Sequence, residues 1–264
     1  LNGSITLPAG QTLLTVETPA AVLTLGGVIS GADETAGFTK NGLGTVALTN
    51  NNAFIGGVRL EGGTLRLTGV DATIDPMPLG GGTITLGTAG LLQLLNSGPS
   101  GASNIVYSSP IVVTSTAVAA NLQIGPASGA NANSMVEIPS LTMSAGQTLN
   151  VSSVNGYSLR ISQLTTSGSG PIRVNPQTGS YVLIYDYGTG SEPINIGAGR
   201  LVIPDIVTFG TLTTLVKNVD GDGITRVQTS ADILSPLTVR YGSLSLATGN
   251  QSTGRPGGQR QRAI

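Results

Sequence analysis

The sequence of 264 residues contains no cysteine, histidine or tryptophan. The absence of cysteine excludes a disulfide framework and thiolate metal ligands, and the usual cysteine and histidine zinc sites are excluded as well. Without histidine, serine and cysteine triads that need an imidazole base are also excluded. The remaining catalytic options are carboxylate pairs and arginine.

Charged residues are scarce too. They make up 9% of the chain, with a formal net charge of −1, whereas a typical globular domain has about 25%. Binding to nucleic acid requires a basic surface, so we expect no nucleic-acid partner. The one basic cluster lies in the glycine- and glutamine-rich segment 249–264, which we expect to be a flexible tail; its arginines are Arg255, Arg260 and Arg262.

Long apolar runs are missing as well. No run approaches the roughly 18 apolar residues that span a membrane, so the sequence predicts no membrane-spanning segment. No signal peptide is visible, and the chain starts at Leu1 rather than methionine. We therefore expect a processed or excised piece of a longer protein.

Glycine, by contrast, is abundant, with 39 residues, about twice the average usage. Hydrophobic residues make up 39% of the chain but aromatic residues only 3%. Disordered chains lack so many aliphatic residues, and β-branched residues favour strands. The composition predicts an all-β protein with many tight turns and a narrow aliphatic core.

A short pattern repeats in the first half of the chain. Glycine, threonine and an alternating apolar segment recur at a constant spacing at 44–48 (GTVAL), 63–67 (GTLRL) and 82–86 (GTITL). A fixed period of about 20 residues is typical of solenoids. Alternation places one set of side chains inside and the other outside. We expect Val46, Leu48, Leu65, Leu67, Ile84 and Leu86 to face inwards, and Ala47, Arg66 and Thr85 to face outwards.

These segments predict a stack in which Leu67 lies directly between Leu48 and Leu86. With about 19 residues and about 4.8 Å per coil, the whole chain would form on the order of 14 coils and a rod of roughly 65 Å. The glycine pairs that begin at Gly26, Gly56, Gly62 and Gly81 are the expected corners. We predict solenoid repeats over 1–125, an irregular solenoid continuation or a β-sandwich over 126–248, and the tail over 249–264.

The stretch Phe38–Gly69 resembles the autotransporter-associated β-strand repeat. Members of that family combine a Lys-x-Gly-x-Gly-Thr strand, an asparagine-rich turn, an aromatic residue, a glycine pair and a second Gly-Gly-Thr-Leu strand. A weaker resemblance to a module found near the end of such proteins covers Thr178–Gly190. The residues that match the repeat are Lys40, Gly42, Gly44, Thr45, Leu48, Asn51, Phe54, Gly56, Gly57, Gly62, Gly63, Thr64 and Leu65.

The resemblance implies a right-handed parallel β-helix in a secreted or surface-displayed bacterial passenger. Its family roles are adhesion, surface scaffolding and aggregation. We expect a non-catalytic segment of an adhesin or extracellular fibre, outside the cell or associated with the outer membrane. Its partners would be further copies of itself, end to end or side by side, and a glycan or a host-cell ligand. The alternative is a carbohydrate-binding module or polysaccharide-active enzyme on a β-helical frame.

The carboxylates give no pair with the geometry of a glycosidase, which needs two about 5–9 Å apart across a cleft. We assign no catalytic, cofactor-binding or metal residue and expect no cofactor. The acids considered are Asp33, Glu34, Glu61, Asp71 and Asp75.

Two further patterns have alternative readings. Asp220 and Asp222, in 219–223 (VDGDG), have the spacing of a calcium site but lack the distal glutamate, so a hairpin turn is the other reading. Tyr181, Tyr185 and Tyr187 alternate along one segment. They would form either an aromatic strip for sugars or a packing and edge-protecting surface.

Overall fold

The computed structural model describes residues 1–101, 103–114, 116–170, 172–187 and 193–203, together with four further strands between 215 and 248. Every element of regular secondary structure described there is a strand, which confirms the all-β prediction. The strands are β1 (Ile5–Leu7), β2 (Gln11–Thr15), β3 (Val22–Leu25), β4 (Ile29–Gly31), β5 (Gly37–Asn41), β6 (Thr45–Leu48), β7 (Val58–Leu67), β8 (Ile84–Leu95), β9 (Asn104–Val106), β10 (Ile111–Val113), β11 (Ala119–Gly125), β12 (Met135–Ser144), β13 (Thr148–Ser153), β14 (Ser158–Ser167), β15 (Ile172–Pro176), β16 (Tyr181–Tyr187), β17 (Pro193–Asn195), β18 (Arg200–Ile203), β19 (Leu215–Lys217), β20 (Ile224–Thr229), β21 (Leu237–Val239) and β22 (Ser243–Thr248).

The chain winds through successive turns whose strands pair in parallel, and among the described strands eight, one from each of eight turns, lie on the third of the faces given below. This confirms the parallel β-solenoid, while its right-handed sense stays a prediction. Each turn passes over three faces, and the longer strands bend across a corner between two of them. The first face contains β1, β4, β9, the starts of β12, β14 and β16, and then β18, β20 and β22. The second contains β2, β5, the starts of β7 and β8, β10 and the ends of β12, β14 and β16. The third contains β3, β6, the ends of β7 and β8, β11, β13, β15 and β17.

Inward-facing aliphatic residues form continuous columns because equivalent residues stack in register. On the third face, one column passes from Leu48 to Leu67, Leu94 and Ile124, and all four are fully buried. Burying one such side chain contributes about 1.5–3 kcal/mol. The six residues predicted to face inwards at 46–48, 65–67 and 84–86 are all buried, as expected.

Ala47 faces outwards as predicted, yet it is only 3% exposed. The register places it between Thr24 and Arg66 on the outer side of the third face. Its single methyl group is much smaller than these neighbours, so an outward position does not expose it.

The predicted stack of Leu48, Leu67 and Leu86 is half wrong. Leu67 does pair with Leu48, but its partner in the following coil is Leu94, and Leu86 pairs with Leu60 on the second face. The cause is the long turn at 68–83, which delays the return of the chain to the third face. Although 82–86 (GTITL) repeats the local pattern, it therefore begins a different face.

Coil length varies much more than a single constant period suggests. Thr45 pairs with Thr64 over one short coil, whereas Gln93 pairs with Gln123 across a sequence separation of 30. The estimate of 14 coils is therefore wrong. The additional residues lie in turns between strands, such as 68–83 and 126–134, where a longer loop leaves the stacked columns in register.

The glycine pair Gly62–Gly63 marks a corner, as predicted. Gly63 has φ of +63°, a left-handed conformation that glycine adopts without penalty. A Cβ atom there would also clash with the carbonyl oxygens of Gly42 and Gly44 in the preceding coil. Glycine is thus required both by the turn and by the close approach of two coils.

Parallel pairing continues past residue 125. β11 ends at Gly125 and pairs with β13, and further parallel pairs join β14, β16, β18, β20 and β22. The division into 1–125 and 126–248 stays a prediction, and the tail 249–264 lies outside the described residues.

We predict that Leu67→Ala destabilises the solenoid by about 2–5 kcal/mol, because it removes a fully buried member of the column and leaves a cavity. Leu13→Ala is the matched control: Leu13 is 63% exposed, so the cost should stay below about 0.5 kcal/mol. Urea unfolding followed by circular dichroism measures both. Equal losses for the two variants would contradict the inward column.

Candidate functional site

Two of the acids considered as catalytic candidates, Asp33 and Glu61, bond to residues close to them in the sequence. Both the backbone N and Oγ1 of Thr35 donate hydrogen bonds to the Asp33 carboxylate, at 2.8 and 2.7 Å. These bonds hold the pKa of Asp33 below its usual value. Glu61 forms an ion pair with Arg59, while Glu34 and Asp75 are exposed.

Asp71 joins its own turn to two others. Its carboxylate accepts hydrogen bonds from the backbone N and Oγ of Ser97, at 2.7 and 3.1 Å, and from Ser128 Oγ at 3.0 Å. Partial burial acts to raise the pKa of Asp71, but the hydrogen bonds outweigh it and lower the pKa. Asp71 therefore holds three successive turns of the solenoid together.

Within the described residues, no group of three or more acidic, histidine or cysteine side chains could hold a metal ion. Asp220 and Asp222 lie outside the described residues, as do Arg255, Arg260 and Arg262 of the basic tail, so the predicted alternatives for those positions stay predictions.

Tyr181 and Tyr185 lie on β16, and an arginine stacks on each ring. The Arg160 guanidinium lies 4.5 Å from the Tyr185 ring centroid, and the Arg200 guanidinium lies 5.5 Å from that of Tyr181. Such cation–π contacts contribute about 0.5–1 kcal/mol at exposed sites. The side chain of Tyr187 lies outside the described part, and sugar binding by this strip stays a prediction.

Glu137 anchors the outer surface of the first face. Its carboxylate accepts hydrogen bonds from Ser162 Oγ at 2.5 Å and Asn104 Nδ2 at 2.9 Å, and Arg160 lies 3.5 Å away. Burial acts to raise the pKa of Glu137, but these three partners lower it. The surface thus carries a charge network that links three coils.

Lys40 is a fully buried cation at the corner between the second and third faces. Its ammonium donates hydrogen bonds to the carbonyl oxygens of Asn41, Gly42 and Gly62, at 2.7, 2.8 and 2.9 Å. An ammonium has three N–H donors, so this set uses all of them. Burial lowers the pKa of Lys40. Lys40 ties two coils together by bonding carbonyls of both, including the buried carbonyl of Gly62.

Asn52 performs a similar task between the third and first faces. Its Oδ1 accepts a hydrogen bond from the backbone N of Ile29 at 2.7 Å, and its Nδ2 donates to the Pro78 carbonyl at 2.7 Å. Ile29 belongs to the preceding coil and Pro78 to the following one. One buried amide therefore connects three coils.

A column of asparagine amides runs along the outer side of the third face. Asn150 Nδ2 donates to Asn121 Oδ1 at 2.9 Å, and Asn175 Nδ2 donates to Asn150 Oδ1 at 2.7 Å. The three residues are register partners in β11, β13 and β15. Each is half-buried, so the column is open to solvent on one side.

Asn121 and Asn150 of the asparagine column form part of the floor of an open groove of about 620 Å³. Leu91 and Thr64 extend the column toward the preceding coils, and small residues border it, which leaves the space above them open. None of the described residues that line the groove is charged. They are Gly63, Thr64, Ala89, Gly90, Leu91, Asn121, Leu122, Asn150, Val151, Ser152 and Gln177.

Residues 38–67 match the family model of the passenger-associated-transport-repeat. This confirms the suspected resemblance to an autotransporter passenger repeat. The passenger repeat comprises β6, β7 and most of β5, and it contains both Lys40 and Asn52. No curated protein and no solved structure matches the chain.

The described part of the chain contains no apolar helix of membrane-spanning length.

Sequence reasoning missed the asparagine column because it assumed coils of equal length. The signal is present in the segments 121–123 (NLQ), 150–152 (NVS) and 175–177 (NPQ), where each asparagine is followed by an inward apolar residue and then a polar one. Their sequence separations of 29 and 25 match the register, but they become apparent only once the coil lengths are known.

We predict that Asp71→Asn lowers stability at pH 7 by about 1–2 kcal/mol, because the lost charge weakens several hydrogen bonds. The pKa of Asp71 is lowered in the folded protein, so its stabilisation is present above about pH 4, the pKa of an unfolded aspartate. It is lost as the pH falls through the folded-state pKa. The stability difference between wild type and variant should thus shrink in acid.

Urea unfolding at pH 7 and in an acid series down to pH values near 2 measures this difference. Asp75→Asn, in the same turn but exposed, is the control and should change stability by less than about 0.5 kcal/mol. A deficit of Asp71→Asn that stays constant with pH would contradict the assigned role of the carboxylate.

Proposed function

We propose that this chain is a non-catalytic segment of a secreted or surface-displayed passenger protein. In this proposal the solenoid is a rigid rod outside the cell that serves adhesion or self-association. The observation that carries it is the passenger repeat at 38–67, which is built into a continuous parallel solenoid. A sequence repeat of this kind is consistent with a solenoid, because a single repeat can bury its apolar face only against neighbouring repeats.

A rod of this kind supports adhesion through its length and its regular outer faces. Stacked coils transmit force along backbone ladders, and buried groups such as Lys40 and Asn52 add connections between coils. The carboxylates of Asp71, Glu137 and Glu61 each bond to a residue of their own or a neighbouring coil. These bonds connect parts of the solenoid, which supports a structural role for the three acids.

The first coil supports self-association. Strands β1, β2 and β3 each pair with a strand of the second coil, and no other pairing involves them among the described residues. Its inward residues Ile5, Leu14, Val16 and Leu23 are only partly buried. An edge of this kind offers backbone groups and apolar surface to a further strand, either of a segment that precedes it in a longer protein or of a second copy of the chain. We propose a second copy as the partner of residues 1–264 alone.

The backbone of β2 identifies a substitution that blocks this edge. The carbonyl of Gly10 and the amide of Val16 bond to the second coil. Because the bonding pattern of a strand alternates along the chain, the amide of Leu13 points to the open side. Proline is tolerated at an edge position whose N–H faces solvent, so Leu13→Pro should preserve the fold.

We predict that the wild-type chain associates with increasing concentration and that Leu13→Pro weakens this association at least about tenfold, through loss of an edge donor. Leu13→Ala is the matched control, because it removes the same side chain but keeps the N–H, and it should associate more strongly than the proline variant. Sedimentation velocity and negative-stain electron microscopy measure the association. Monodisperse wild-type monomers at high concentration would contradict self-association.

A further inference from the structure

The groove on the third face has hydrogen-bonding capacity beyond the bonds within the asparagine column. A primary amide has two N–H donors and an oxygen with two lone pairs. Asn150 uses one donor toward Asn121 and one lone pair toward Asn175. It retains one donor and one acceptor, and the residue is half-exposed. A hydroxyl group, which both donates and accepts, is a complementary partner.

Asn121 donates one N–H to the Gly90 carbonyl at 3.4 Å and uses one lone pair toward Asn150, so it too retains one donor and one acceptor. Asn121, Asn150 and Asn175 occupy one register position in successive coils, and neighbouring strands are about 4.8 Å apart. Below them, Thr64 and Leu91 occupy the same position in two preceding coils. A ligand that uses these groups together must itself be linear and must present polar groups at regular intervals.

The lining of the groove determines the charge of that ligand. The described lining residues supply amide, hydroxyl, aliphatic and glycine groups and no charged side chain. An anionic or cationic polymer would lose hydration there without meeting an opposite charge. The volume of about 620 Å³ lies within the range of about 300–1,000 Å³ that is usual for ligand sites. The groove therefore suits an uncharged ligand.

An extended peptide fits this groove less well than a sugar chain. Peptides commonly bind sheets by pairing with an exposed strand edge. β11 is already paired on both sides, with β8 and β13, and β13 with β11 and β15. Their backbone groups are thus occupied, which leaves side chains to contact a ligand.

We propose that this groove binds a neutral, linear glycan that lies along the solenoid axis on the asparagine column. The glycan hydroxyls pair with the remaining donor and acceptor of each amide, and its apolar face packs on Leu91. This inference rests on the adhesive role proposed above and names the ligand class and the surface that would serve it.

The test uses solution NMR of the full chain, with the asparagine side-chain amides as reporters. The probes are neutral hexasaccharides of β-1,4-glucan, β-1,3-glucan, α-1,4-glucan, β-1,4-mannan and chitin, and a hexagalacturonate as the charged control. We expect at least one neutral probe to shift the side-chain resonances of Asn121, Asn150 and Asn175 at millimolar or lower concentration, and the charged probe to bind at least about tenfold more weakly.

Two arginine substitutions on the same strand separate the groove from other surfaces. Leu91→Arg places a long cation in the groove, whereas Thr85→Arg places the same side chain on the second face; both positions are half-buried and face outwards on β8. We expect Leu91→Arg to weaken binding at least about tenfold and Thr85→Arg to leave it unchanged. Asn150→Ala, which interrupts the column, should weaken it as well.

The inference is overturned if none of the five neutral probes shifts these resonances, if the charged probe binds as tightly, or if Thr85→Arg has the same effect as Leu91→Arg. Sedimentation of the same samples measures self-association, so a failure of the glycan proposal can be distinguished from a failure of the proposed self-association. Loss of glycan binding with self-association retained would reject only the groove, while monomers that bind a neutral glycan would reject only the self-association.

Discussion

The structure depends on one constraint: equivalent side chains of successive coils must lie directly above one another. A single short strand cannot bury its apolar side, but Leu48, Leu67 and Leu94 bury theirs against each other because their strands pair in register. A shift of one residue would turn every inward leucine outward. The narrow interior explains the composition, since aliphatic residues stack at the spacing of strands, whereas the described buried aromatic rings are few.

Once the columns are in register, the backbone polar groups at the corners are the ones that still need hydrogen-bond partners. Tight turns bury carbonyls and amides that no strand can pair, and such groups must find partners. Lys40 and Asn52 provide them from within the passenger repeat, and Asp71 does so at the turns of the next coils. The lengths of the turns can vary because they leave the columns unchanged. For this reason short and long coils belong to one ladder.

The local part of this architecture could be predicted from the sequence. Alternation identified the inward residues Leu65 and Leu67, and the glycine pair identified the corner at Gly62–Gly63, because both depend on neighbours close in the chain. The partner of Leu67 could not be predicted, since it depends on the length of the turn at 68–83, and no local pattern specifies that. The asparagine column was missed for the same reason: Asn121, Asn150 and Asn175 come together only through turns of different length. The burial of Lys40 was missed because a lysine in a polar segment is usually solvated.

The register of the third face is directly testable because the chain contains no cysteine. Arg66 is the register partner of Gln93, and adjacent positions on parallel strands lie within the distance that a disulfide can bridge. The double variant R66C/Q93C should oxidise to an intramolecular disulfide, which mass spectrometry of the digested chain detects. The control is R66C/T85C, because coils of uniform length would stack these two positions. It should form no such disulfide. Cross-linking of R66C/T85C in place of R66C/Q93C would contradict the account.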